Sequence, residues 1–129
     1  MSGQWNVRSK IWIELDGEPI MGVGRVEILR AIDSSGSILQ ASRVAGIPYR
    51  RIWGALRDME RLLEFSLVRT KRGGSNGGGT SLTPRAKALL DRFDRLHCGI
   101  QEEVDARFKE LFHDFFLRPD MQFPPNGQP

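Results

Sequence analysis

The sequence predicts a mainly α-helical protein carrying two small β-hairpins. Three observations point there. Apolar residues between Arg25 and Leu63 recur in steps of three and four. Asp16-Gly17 and a glycine-rich run after Lys71 each separate two short strand-like segments. From Leu89 a single apolar stripe continues in helical steps to Phe115. At 129 residues the chain suits one domain, or one domain plus an extension.

In chain order, Lys10–Met21 alternates Ile11, Ile13 and Leu15 with Trp12 and Glu14, the period of a half-buried strand. Asp16-Gly17 tolerates the positive φ of a tight hairpin turn, and Pro19 makes the return strand an edge because it has no N–H to donate. Arg25–Asp33 changes to helical spacing through Val26, Ile28, Leu29 and Ile32, with Ser34, Ser35 and Gly36 as the stop. Ser37 and Gln40 have the spacing of a capping box at the start of a short helix, with Ile38, Ala41, Val44 and Ala45 as its apolar face and Gly46 as its end. Pro48 fits the first turn of a third helix. There Tyr49, Ile52, Trp53, Leu56, Met59 and Leu63 form one apolar face, so Tyr49, Trp53 and Met59 read as core. Arg50, Arg51, Gly54, Arg57, Asp58 and Arg61 fall largely on the other side.

Phe65–Arg72 reads as a strand and Thr80–Thr83 as its return. Thr83-Pro84 supplies an N-cap followed by a first-turn proline. The helix after it carries Leu89, Phe93, Leu96, Ile100, Val104, Phe108, Leu111 and Phe115, and read as one rod to Phe116 it is about 50 Å long. Its far end overhangs a domain of this size, so a second copy is expected to cover the stripe. The proline- and glycine-containing end is expected to be flexible. The resulting division is an N-terminal hairpin segment (1–22), a helical region with a hairpin (23–83), a dimerisation helix (84–117) and a tail (118–129).

Net charge is +3 and the isoelectric point about 9.5, but the distribution says more. Between Arg43 and Arg72 lie eight basic and three acidic residues, so one central segment carries the positive field. A solvated face is the plain alternative; concentration in two adjacent elements favours a polyanion. No run of about 18 apolar residues is present, so no membrane partner is expected. The single cysteine, Cys98, excludes an intrachain disulfide and fits a reducing, cytoplasmic setting. The N-terminus has no apolar run of the kind that directs secretion.

Helix, short helix, tight turn, basic helix, hairpin is the order of a winged helix-turn-helix. A helix of this kind enters the major groove, and Arg50 and Arg51 in its first turn are placed to meet base edges, where arginine pairs bidentately with guanine. Their alternative is surface solubility. Arg57 and Arg61, further along, read as phosphate contacts. Arg69, Lys71 and Arg72 form basic shoulders of the wing, and Asn76 at its tip can donate a hydrogen bond to the minor groove or backbone. The glycines do not make a nucleotide loop: Gly73 and Gly78 have the Walker separation, but Gly79 stands where the lysine is needed. His97-Cys98 lacks the spaced partners of a zinc site, and Glu102, Glu103 and Asp105 read as a solvated patch. No acid, base or nucleophile constellation appears, so neither an enzyme nor a cofactor is expected.

The stretches "GSILQASRVAGIPYRRIWGALRDMERLL" and "LVRTKRGGSNGGGTSLTPRAKALLDRF" resemble the N-terminal DNA-binding domain of the molybdate-responsive ModE regulators, distant relatives of LysR-type winged helices. The resemblance covers roughly Val23 to Val104. It implies a dimeric bacterial transcription regulator, recognition positions from Tyr49 to Arg51 and the neighbouring exposed helix face, and dimerisation through the helix after the wing. Leu89, Phe93, Leu96, Ile100, Val104 and Phe108 are the residues expected there. Full-length members carry C-terminal molybdate-binding domains for which this chain has no length, so molybdate binding is not expected. The function expected is a homodimeric regulator of double-stranded DNA; the alternative is a protein-interaction adaptor on the same scaffold.

Overall fold

The computed structural model describes residues 3–72, 79–117 and 122. The loop 73–78, with Asn76, and the expected flexible tail apart from Gln122 lie outside the described residues. The elements are β1 (Ile13–Leu15), β2 (Glu18–Met21), α1 (Val23–Ser35), α2 (Ile38–Ala45), α3 (Tyr49–Leu63), β3 (Val68–Lys71), β4 (Gly79–Leu82), α4 (Pro84–His97) and α5 (Ile100–Leu117). The chain divides into two compact units, Lys10–His97 and the pair of segments Met1–Ser9 with Cys98–Pro129.

In the Lys10–His97 unit, β1 and β2 form an antiparallel hairpin whose turn residues Asp16 and Gly17 have φ of 50° and 82°. That is the positive-φ pair such two-residue turns require. α1 ends where Gly36 turns left-handed at φ 75°. Ser37 caps α2: its Oγ accepts the Gln40 N–H at 3.0 Å, the forward half of the expected capping box. Pro48 sits one position earlier than expected, at the N-cap of α3 with ψ of 139°, and its carbonyl accepts the N–H groups of Arg51 and Ile52. Extended geometry suits a proline without an N–H to place in the helix.

Val26, Leu29 and Ile32 of α1, Ile38 and Ala41 of α2, and Ile52, Leu56 and Met59 of α3 are buried together, closed by Met21, Leu67, Leu82, Ala86, Leu90 and Phe93. Full burial of a side chain such as Leu56 stabilises by about 1.5–3 kcal/mol. The second hairpin is shorter than the alternating sequence from Phe65 predicts. Glu64 is left-handed at φ 61°, Glu60 Oε2 accepts the Leu67 N–H at 2.7 Å, and Thr83 Oγ1 donates to the Ser66 carbonyl at 2.8 Å. Those bonds occupy Ser66 and Leu67 in turning the chain, so pairing begins only at Val68. Thr83 also caps α4, its Oγ1 accepting the Ala86 N–H at 3.1 Å, and Pro84 opens the first turn as expected. Three helices followed by a two-stranded wing make this a winged helix-turn-helix.

The helical span after the wing begins where the sequence predicts but is two helices, not one. α4 stops at His97 and α5 starts at Ile100, with Gly99 at φ 81° between them. Glycine at a left-handed position is an ordinary helix terminator, and this one lies inside an unbroken apolar stripe that hides it. In the other unit, the segment before Ser9 lies along α5. Gln101 accepts the Ser9 N–H at 2.9 Å and donates to the Val7 carbonyl at 2.9 Å, and Trp5 stacks on Phe116 with centroids 4.1 Å apart. Among the described residues, no helix is long and apolar enough to cross a membrane.

Candidate nucleic-acid interface

The turn between α2 and α3 is held by Ser42. Its carbonyl accepts the N–H of Gly46, which is left-handed at φ 66°, and that of Ile47 at 3.1 Å; its Oγ donates to the Ile47 carbonyl at 2.5 Å. This fixes the direction in which α3 leaves. Ile52, Leu56 and Met59 have no solvent exposure, so α3 is anchored along one face and cannot roll. Arg50, Arg51, Gly54 and Arg57 are exposed on the remaining surface. Tyr49 corrects the expectation of a core residue. It is 47% exposed, in the first turn of α3, and its ring meets the half-buried Trp53 edge-on at 6.4 Å.

Among the described residues, Arg43, Arg50, Arg51, Arg57, Arg69, Lys71 and Arg72 are exposed and make no ion pair. Arg61 differs. Its Nη2 lies 3.0 Å from Glu18 Oε1 on β2 and 3.1 Å from Asp58 Oδ1. Asp58 also receives Arg25 Nη2 at 2.8 Å, and Arg25 Nη1 donates to the Ile20 carbonyl at 2.7 Å. Hydrogen bonds from Arg25 and then Arg61 hold the Asp58 carboxyl below the usual carboxylate range. The bond to Glu18, then that to Asp58, raises Arg61 above its already high value. The positive character of α3 is therefore concentrated in its first two and a half turns, and its last turn is charge-compensated by the N-terminal hairpin.

In the wing, Val68 pairs with Leu82 and Thr70 with Thr80, and Thr80 and Leu82 are buried. Strand alternation places Arg69, opposite Ser81, and Lys71, opposite Gly79, on the other face, where both are exposed. Asn76 lies outside the described residues.

The residues expected to join two subunits separate into two groups. Phe93 is 3% exposed and Leu89 packs against the same core, so Phe93 is a core residue of its own unit. The cause is that Ala86, Leu90 and Phe93, not Leu89, Phe93 and Leu96, form the inward face of α4. Leu96 is exposed. On α5, Ile100, Val104 and Phe108 are half-buried and Leu111, Phe112 and Phe115 exposed; none of the α5 side chains described is fully buried. Among the described residues, no group of three or more His, Cys, Asp or Glu side chains could hold a metal ion.

Sequence reasoning missed the Glu18–Arg61–Asp58–Arg25 network, the Gly99 break and the role of Trp5. Gly99 had a local signal, a glycine inside a helical pattern, and so had Asp58 and Arg61, an i,i+3 pair on one helix.

A winged helix-turn-helix with a guanidinium-rich third helix is the class of protein that this geometry defines. No family model matches the chain. It is similar to the transcriptional regulator ModE of Yersinia pestis, 40% identical over 82 residues, which is 64% of this chain and 31% of that protein. The DNA-binding transcriptional dual regulator ModE of Escherichia coli K12 is 40% identical over 72 residues, 56% of this chain and 28% of its own length. The molybdenum-pterin-binding protein MopB of Rhodobacter capsulatus is 34% identical over 91 residues, 70% of this chain and 34% of its own. The matched stretch thus spans about a third of each of these relatives.

Proposed function

We propose that this chain is a ModE-like transcriptional regulator that binds double-stranded DNA as a homodimer, in the cytoplasm and without catalysis. One observation carries the reading: three unpaired, exposed arginines, Arg50, Arg51 and Arg57, sit on a helix whose opposite face is locked into the core. The names of the relatives support it. In this reading α3 enters the major groove, with Arg50 and Arg51 at base edges, Tyr49 and Gly54 against the groove and Arg57 on phosphate. Arg69, Lys71 and Arg72, with Asn76 at the tip, follow the adjacent backbone or minor groove. Arg61, held by two carboxylates, is assigned to keeping α3 on the N-terminal hairpin. Residues 23–83 form the DNA-binding part and 84–117 the dimerisation part, with Leu96 and the exposed stripe of α5 as contacts.

Selection of bound fragments from genomic DNA tests this reading. It predicts enrichment of a sequence with twofold symmetry and half-sites about 34 Å apart or a multiple of that. Recovery without sequence enrichment would refute it. The adaptor reading draws on the exposed aromatic residues of α5 and predicts no salt-sensitive affinity for duplex at micromolar protein.

A further inference from the structure

Two glycines far apart in sequence meet where the wing touches the helix-turn-helix. Gly36 ends α1 in the left-handed conformation, and its carbonyl accepts the Thr80 N–H of β4 at 2.8 Å. Thr80 is buried. The neighbouring Gly79 lies in β4 paired with Lys71, a strand position that does not itself call for glycine. A Cβ built on Gly79 would stand 3.0 Å from the Gly36 carbonyl oxygen, a backbone atom and a tighter approach than most Cβ contacts. The requirement is therefore one of space: a side chain at residue 79 forces β4 and the α1–α2 turn apart by a few tenths of an ångström.

We infer that Gly79 and the Gly36 carbonyl are the anchor that sets the wing's placement relative to α3, making Gly79 a positioning residue for polyanion contact. The inference rests on the DNA-binding reading for its consequence, and on backbone geometry alone for the anchor. Gly79 lies directly opposite Lys71, with Arg69 two residues further on the same face, so a displaced β4 moves both cations. α3 is held separately by Ile52, Leu56 and Met59 and stays in place. Loss of the anchor should then remove the wing's share of binding and leave that of the helix.

The experiment is Gly79→Val in the full chain, with two readouts. Amide hydrogen exchange should be at least tenfold faster at Thr80 than in the unsubstituted protein, while the Leu56 amide keeps its rate. Fluorescence anisotropy with a random-sequence duplex should give a salt slope shallower by about 0.9 for each phosphate that the wing no longer neutralises. Adding Lys71→Ala to Gly79→Val should then change little. Unchanged protection at Thr80 overturns the anchor. Fast exchange at Thr80 with an unaltered salt slope overturns its positioning role. If the Leu56 amide accelerates in step, the same criteria apply to Gly79→Ala, which adds one methyl group. Absence of duplex binding by the unsubstituted protein would overturn the DNA-binding reading, while the exchange measurement still decides the anchor.

Discussion

Replacing Gly54 by alanine should stabilise the protein and weaken its grip on DNA. Gly54 lies in the interior of α3, exposed, with no heavy atom within 4 Å of the position a Cβ would take. Glycine inside a helix costs about 0.8–1.0 kcal/mol relative to alanine, because the unfolded chain loses more freedom at that residue. Nothing in the folded protein opposes the added methyl, so most of that amount should be recovered. In a domain of this size it corresponds to a rise in melting temperature of about 4–8 °C. A glycine tolerated at that cost on the face bearing Arg50, Arg51 and Arg57 is consistent with close approach of another molecule to the helix backbone. Differential scanning calorimetry and duplex anisotropy on the same preparation test both halves. Destabilisation by Gly54→Ala would refute the open-space argument. Stabilisation with unchanged DNA affinity would refute the placement of Gly54 against the groove.

Three further outcomes are expected. Arg57→Ala should reduce the salt slope of duplex binding by about 0.9, whereas Arg61→Ala should leave the slope unchanged while lowering affinity, since Arg61 already faces Glu18 and Asp58; equal slopes for the two variants would refute the distinction. Asp58 has a lowered folded pKa, so its contribution to stability is complete above the unfolded value near 3.8 and is lost as pH falls through the folded one. Urea unfolding of Asp58→Asn should therefore show a smaller loss of stability between pH 5 and pH 2 than the unsubstituted protein, and an identical loss would count against the network. Calorimetric titration with molybdate should give no binding heat; saturable binding would bring the chain closer to its relatives with molybdenum-pterin in their names.

The parts of the fold that could be read in advance are those with local causes. Asp16-Gly17, Ser37, Gly46 and Thr83-Pro84 each act within a few residues, and each marks the turn or cap it was expected to mark. The parts that could not be read depend on residues distant in sequence. Arg61 has the exposed helical position of a phosphate contact, and its pairing with Glu18, 43 residues away, leaves no trace in the local pattern. Tyr49 and Phe93 share a spacing logic with core and stripe residues respectively. Tyr49 stands on the predicted apolar face but in the first turn, short of the partners that bury Ile52, Leu56 and Met59, whereas on α4 the inward face is rotated to Ala86, Leu90 and Phe93. Gly79 read as the last residue of a glycine-rich loop; the carbonyl of Gly36 gives it a different reason to be glycine.

The central claim is that α3 and the wing together bind duplex DNA. Its most direct test is the anisotropy of a labelled duplex at two salt concentrations, for the unsubstituted chain and for Arg50→Ala/Arg51→Ala. Tight, salt-sensitive binding to a selected sequence is predicted, with the double variant reduced towards its affinity for random DNA. Absence of salt-sensitive binding, or an equal loss on selected and random sequences, would contradict the account.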